Sequence, residues 1–85
     1  MIWVTDAKVL PDYRLSVRFS DGSTSVVGLR QFIFADRRPI VQALRDPSAF
    51  AAIRVDLDTV VWQNGFDLAP EFLYAQAGIG GDTRS

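Results

Sequence analysis

From Tyr13 to Ser20 the chain alternates, with Tyr13, Leu15, Val17 and Phe19 on one face and Arg14, Ser16, Arg18 and Ser20 on the other. A period of two marks a strand with one buried and one wet face. Asp21-Gly22 then turns the chain, and register fixes the length of that turn. A three-residue loop Ser20-Asp21-Gly22 sets Val27 opposite Leu15 and Leu29 opposite Tyr13, which keeps both on the buried side. A two-residue loop would set Val17 opposite Val26 and turn Leu29 outward, so the pattern predicts the longer loop with Gly22 left-handed. Ile2 to Leu10 reads as a preceding strand with Ala7 and Val9 inward, ended by Pro11-Asp12. The chain therefore opens with a three-stranded antiparallel meander.

The middle changes period. Leu29, Phe32 and Ile33 have helical spacing but run into Asp36-Arg37-Arg38, which predicts a single helical turn or a structured loop. Pro39 occupies a first helical position, with Ile40, Val41 and Leu44 as one apolar stripe, and Asp46-Pro47 stops that helix. Ser48 to Ala52 reads as a short helical turn carrying Phe50 inward. Ile53-Arg54-Val55 resumes the period of two, and Asp56-Leu57-Asp58 reverses the chain into Thr59-Val60-Val61-Trp62 as a second hairpin. From Trp62 to Tyr74 a strand end, a tight Asn64-Gly65 turn and a helix opened by Pro70 follow in quick succession, with Leu68 and Leu73 placed as a hydrophobic staple.

The expected fold class is α+β: an antiparallel sheet built from the meander and the second hairpin, with two or three short helices. One domain is expected over residues 1–77 and a flexible tail over 78–85, where the sequence turns small and polar. The expected core is Tyr13, Leu15, Val17, Phe19, Val27, Leu29, Leu44, Phe50, Ile53, Val55 and Trp62.

Composition removes whole classes of chemistry. The 85 residues suffice for one modest core. The chain has no cysteine, so disulfides and thiolate metal sites are excluded, and no histidine, which removes the commonest general base and transition-metal ligand. No leader pattern and no apolar run approaching the roughly 20 residues of a membrane helix is present, so a cytoplasmic protein without membrane contact is expected. The formal charge of -1 speaks against a strongly electropositive nucleic-acid binder.

Candidate chemistry is sparse. Asp67 and Glu71 lie four apart near a helix start and could form an acidic site, but carboxylates there also serve free backbone N–H groups and the helix dipole. Asp56 and Asp58 fall short of the six or more oxygens of a calcium loop and suit a solvated turn better. Asn64-Gly65 could cradle a phosphate, yet it lacks the longer glycine pattern of nucleotide loops, and turn geometry accounts for it. Arg14 and Arg18 point the same way from one strand, about 13 Å apart at strand rise. Together with Arg37, Arg38 and Arg45 they could follow a phosphate backbone or an acidic partner; alternation of arginine with serine also simply keeps a sheet face wet. No cofactor and no metal is expected.

The run Tyr13 to Gly22, then Leu44-Arg45-Asp46 with Phe50 downstream, then Trp62 to Tyr74 with its Asn64-Gly65 turn, Asp67 and Pro70, resembles the bacterial family known as domain of unknown function 2442. The resemblance spans roughly positions 3 to 76. Two positions depart from it: Gly28 stands where the family often carries an acidic residue, and Gln63 where it often carries proline. The resemblance implies a small α+β domain, often encoded beside another small protein in presumed toxin-antitoxin pairs. The resulting expectation is a non-enzymatic protein-interaction module, possessing an antitoxin-like role, that binds a small protein partner or itself through Arg14 and Arg18. The alternative is a small nucleic-acid or ligand-binding domain on the same face, and the third an enzyme relying on Asp67 and Glu71. Asp21, Gly22, Trp62, Asn64, Gly65, Asp67 and Pro70 are the positions that shape the fold.

Overall fold

The computed structural model describes residues 1–83, with side chains described for 1–77. The meander forms as β1 (Val4–Leu10), β2 (Arg14–Phe19) and β3 (Thr24–Gly28), in the order β1-β2-β3. Its register is the one that the hydrophobic pattern requires. Leu15 faces Val27, the Leu29 N–H donates to the Tyr13 carbonyl at 2.9 Å, and Ser20-Asp21-Gly22 loops between Phe19 and Ser23. Gly22 has φ 89°, where a Cβ would be strained. Val9 and Ala7 pair with Leu15 and Val17, while an irregularity near Thr5 returns Val4 to the buried side opposite Phe19.

Short helices follow: α1 (Arg30–Ala35), α2 (Pro39–Gln42) continued by a 3-10 turn at Ala43–Arg45, and α3 (Pro47–Ala51). Pro39 and Pro47 each stand in the first turn, where a missing N–H costs nothing. Asp46 caps α3 by accepting from the Ser48 N–H at 3.2 Å. Phe50 is carried inward from α3 as expected.

The second hairpin, β4 (Ile53–Asp56) and β5 (Thr59–Trp62), gains a strand that the pattern did not predict, β6 (Asp67–Leu68), so the meander and the hairpin stand in two three-stranded antiparallel sheets. After the Gly65 turn, where φ is 93°, the chain pairs back on β5 before α4 (Pro70–Thr83) begins. The β4–β5 loop is Leu57-Asp58 alone, since Asp56 pairs with Thr59. The two sheets meet where the Val4 N–H donates to the Asp58 carbonyl at 2.9 Å, and α4 packs against β3.

One core joins these parts. Leu15, Val17, Phe19, Val27, Leu29, Leu44, Phe50 and Trp62 are buried as expected, and Val4, Ile33, Val41, Val60, Phe66, Leu68 and Leu73 join them. Three expectations need correction. Tyr13 and Ile53 are only half-buried, because each lies at a strand end, and Val55, on the outer strand β4, is 38% exposed. Ile40 likewise faces outward while its neighbours Val41 and Leu44 are buried. Leu68 and Leu73 are both buried around the start of α4, the staple arrangement read from the sequence. The tail expected over 78–85 falls where side chains lie outside the described residues, and 84–85 lie outside them altogether.

Candidate protein-interaction face

With most of their apolar side chains turned to the core, β1, β2 and β3 present a largely polar face outward in three cross-strand rows. Asp6, Arg18 and Thr24 form one row, Lys8, Ser16 and Val26 the next, and Leu10, Arg14 and Gly28 the last. Arg14 and Arg18 are exposed and share this face, as the alternation required. Lys8 joins them and was missed by sequence reading; its place between the inward Ala7 and Val9 is the signal that could have found it. The Arg14 Nε donates to the Pro11 carbonyl at 2.9 Å, which anchors the side chain to the hairpin end and leaves the terminal nitrogens to solvent. Arg18 stands opposite Asp6, yet among the described residues no ion pair or hydrogen bond engages its side chain; only its carbonyl accepts, from the Thr5 hydroxyl at 3.2 Å. Asp6, Lys8, Ser16, Arg18 and Thr24 surround a shallow depression of about 150 Å³.

The arginines of the helical region do not join this face as a common site. Arg45 donates to the carbonyls of Ile33, Phe34 and Asp36 at 3.2–3.3 Å, so its guanidinium closes the C-terminal end of α1. Arg38 pairs with Asp36 at 2.7 Å and lies over the Phe66 ring, 5.4 Å from its centroid. This side-chain bond, with the Arg38 N–H, lowers the Asp36 carboxyl to about 2. Arg30 pairs with Asp12 at 2.7 Å.

The remaining candidates have structural roles. Asn64 accepts from the Phe66 N–H at 3.0 Å, closing its own turn, and its Nδ2 donates to the Ile40 carbonyl at 2.9 Å, tying that turn to α2. The Trp62 Nε1 donates to the Phe50 carbonyl at 2.9 Å, so the buried indole has no orphan donor. Asp21 accepts from the Ser23 hydroxyl at 2.6 Å, the Ser23 N–H and the Tyr74 hydroxyl at 2.9 Å; these bonds, the Ser23 hydroxyl's first, lower its pKa. Asp67 and Glu71 do not share a helix start. Asp67 pairs with Val61 in β6, its backbone engaged in the ladder, while Ala69 precedes Pro70 and accepts from the Leu73 N–H at 3.1 Å. Both carboxylates are exposed, and no side-chain hydrogen bond joins them. Asp56 lies 3.7 Å from Arg54 beside the β4–β5 turn. Among the described residues no group of three acidic, histidine or cysteine side chains is placed to hold a metal ion.

Among those residues, no helix is long and apolar enough to cross a membrane. No curated protein matches the chain. The fold is similar to that of a crystal structure from Nitrosomonas europaea ATCC 19718 described as a "putative DNA binding protein", with a TM-score of 0.80 and 24% identity. That likeness covers 96% of this chain and 52% of the other, so this chain spans about half of its length. Residues 4–78 match the family DUF2442, described as a protein of unknown function, and the chain belongs to that family.

Proposed function

We propose that this domain is a non-enzymatic protein-interaction module that docks a small partner bearing surface carboxylates on the outer face of β1-β2-β3. The observation that carries this reading is the exposure of Lys8, Arg14 and Arg18 on a face where Arg18 has no ion-pair partner among the described residues. Arginine is enriched at interfaces, and its planar fork matches a carboxylate with two parallel hydrogen bonds. Ser16 and Thr24 add hydrogen-bonding groups, and Val26, half exposed at 50%, adds apolar contact at the centre. The gene setting implied by the family resemblance supports a small neighbouring protein as the partner and an antitoxin-like role for this chain.

Nucleic-acid binding by the same face is the second reading, supported by the description of the Nitrosomonas protein. Against a single-stranded ligand, none of the outward residues in the three rows is aromatic, so they offer no platform for stacking bases. Co-expression with the adjacent gene's product and pull-down, comparing wild type with Arg14→Ala/Arg18→Ala, tests the proposal. A complex with wild type that is lost in the double variant is expected. No complex with wild type removes the partner reading, whereas a complex indifferent to the substitutions removes the face. Binding to duplex DNA that weakens steeply with salt would favour the second reading.

A further inference from the structure

We infer a second docking surface at the tip of the β4–β5 hairpin, where Trp3, Leu57 and Tyr74, bordered by Asp21, Asp56 and Asp58, fit a protein with an apolar groove edged by lysine or arginine. Leu57 is the starting point. It is 90% exposed and has φ 50°, followed by Asp58 at φ 67°. Positive φ at both central residues of a two-residue hairpin loop is the type I′ geometry, for which Asn-Gly and Asp-Gly are the favoured pairs. The chain has those pairs at Asp21-Gly22 and Asn64-Gly65, but Leu-Asp here. A branched apolar residue at this position has a conformational cost, and an exposure of 90% means that no burial inside the domain offsets it.

The surroundings of Leu57 extend the patch. The Asp58 carbonyl accepts from the Val4 N–H, which brings the hairpin tip beside Trp3, 42% exposed. The Trp3 carbonyl in turn accepts from the Ser20 N–H at 2.8 Å, next to Asp21, whose carboxylate accepts from the hydroxyl of Tyr74, 43% exposed. Backbone hydrogen bonds thus set Trp3 beside the hairpin tip that carries the almost fully exposed Leu57, and the Asp21 carboxylate links Tyr74 to the other side of Trp3 through its hydroxyl. Apolar groups gathered in this way mark interaction sites, and tryptophan and tyrosine are the residues that most often dominate their energetics.

Charge selects the occupant. Asp21 and Asp58 are exposed carboxylates on the border, and Asp56 is offset only by Arg54 at 3.7 Å. A symmetric pairing with a second copy would bring two acidic borders together, which like-charge repulsion disfavours. A different protein with basic residues around an apolar groove meets both the patch and its border. This surface is independent of the Arg14/Arg18 reading and can stand or fall without it.

Tryptophan fluorescence of the full chain provides the test, because Trp62 is buried and Trp3 is not. The probe is a synthetic amphipathic helical peptide with leucine on one face and lysine on the other, with a control in which glutamate replaces lysine. The leucine–lysine peptide should shield Trp3 from acrylamide quenching and the control should not. Leu57→Asn should weaken that binding by about tenfold or more while melting at the same or a higher temperature, so lost binding cannot be lost folding. Arg14→Ala/Arg18→Ala should bind the peptide as wild type does. Equal binding of both peptides, binding undiminished by Leu57→Asn, or no shielding by either peptide overturns the inference. So does a dimer in sedimentation that Leu57→Asn abolishes, since that would make a second copy the occupant.

Discussion

In each of the two sheets the first turn is left-handed without glycine and the second is left-handed with it: Asp12-Tyr13 then Gly22 in one, Leu57-Asp58 then Gly65 in the other. The glycine-free turns differ in what holds them. Tyr13, at φ 59°, packs edge-on against Phe34 and Phe50 with centroids 5.2 and 5.3 Å away. Its hydroxyl donates to the Arg45 carbonyl and its own carbonyl accepts from Leu29. Leu57, at φ 50°, projects from the fold into solvent. The same strained backbone is therefore offset by side-chain packing in the first sheet, whereas in the second the Asp58 carbonyl is held by the Val4 N–H but the Leu57 side chain gains no burial. Strain that the domain itself over-determines belongs to stability, and the strain at the exposed Leu57 is the observation from which the second docking surface is inferred.

The largest test of this comparison strikes the residue that joins the two sheets. Phe50 touches Tyr13 on one side and Trp62 on the other, the latter at 5.8 Å between centroids. Phe50→Ala should cost about 3–5 kcal/mol and loosen both sheets together. Chemical denaturation followed at Trp62 checks the cost, and hydrogen exchange checks whether both sheets respond. A near-wild-type midpoint would mean that the sheets do not share one core.

Next in size are the glycines. A Cβ placed on Gly22 or Gly65 meets nothing within 4 Å, so any cost comes from the backbone angle alone. Gly65→Ala and Gly22→Ala should each destabilise by about 1–2 kcal/mol, with asparagine costing less than alanine at either place. Equal effects of alanine and asparagine would show that something other than φ is at stake. Leu57→Asn should move the other way, stabilising by less than about 1 kcal/mol, since asparagine tolerates the left-handed region. Destabilisation there, measured by thermal melting, would show that Leu57 does make internal contacts and would erase the contrast with Tyr13.

The smallest effect belongs to neither sheet. Asp36, in the link between α1 and α2, titrates at about 2 because Arg38 bonds its ionised form. A folded-state pKa below the unfolded one contributes stability above the ordinary carboxylate range, near 3.9, and that contribution disappears as pH falls toward 2. An NMR titration of the Asp36 carboxyl carbon should inflect near 2 and move up toward the ordinary range in Arg38→Gln. An unchanged inflection would remove Arg38 as the cause.

The first sheet was legible because its strands are long enough to display a period of two and because Asp21-Gly22 fixes their register. That same alternation placed Arg14 and Arg18 outside. The second sheet was only half legible. A two-residue strand such as β6 is shorter than any repeat that could reveal it, and its pairing depends on the Gly65 turn folding back over β5. The Leu57-Asp58 turn carries no glycine to announce positive φ, and the reading of Asp67 as a helix-start residue failed because β6 intervenes before Pro70. Arg45 looked like a surface cation. Its acceptors lie 9 to 12 residues earlier, at the end of α1, a distance across which no local pattern reports.

Affinity of the adjacent gene's product for wild type and for Arg14→Ala/Arg18→Ala, measured by titration calorimetry across a salt series, tests the docking role of the β1-β2-β3 face most directly. Wild type should form a defined complex, and the double variant should bind about tenfold or more weakly at low salt, with the gap narrowing as salt screens the charges. Identical affinities at every salt concentration would contradict that role.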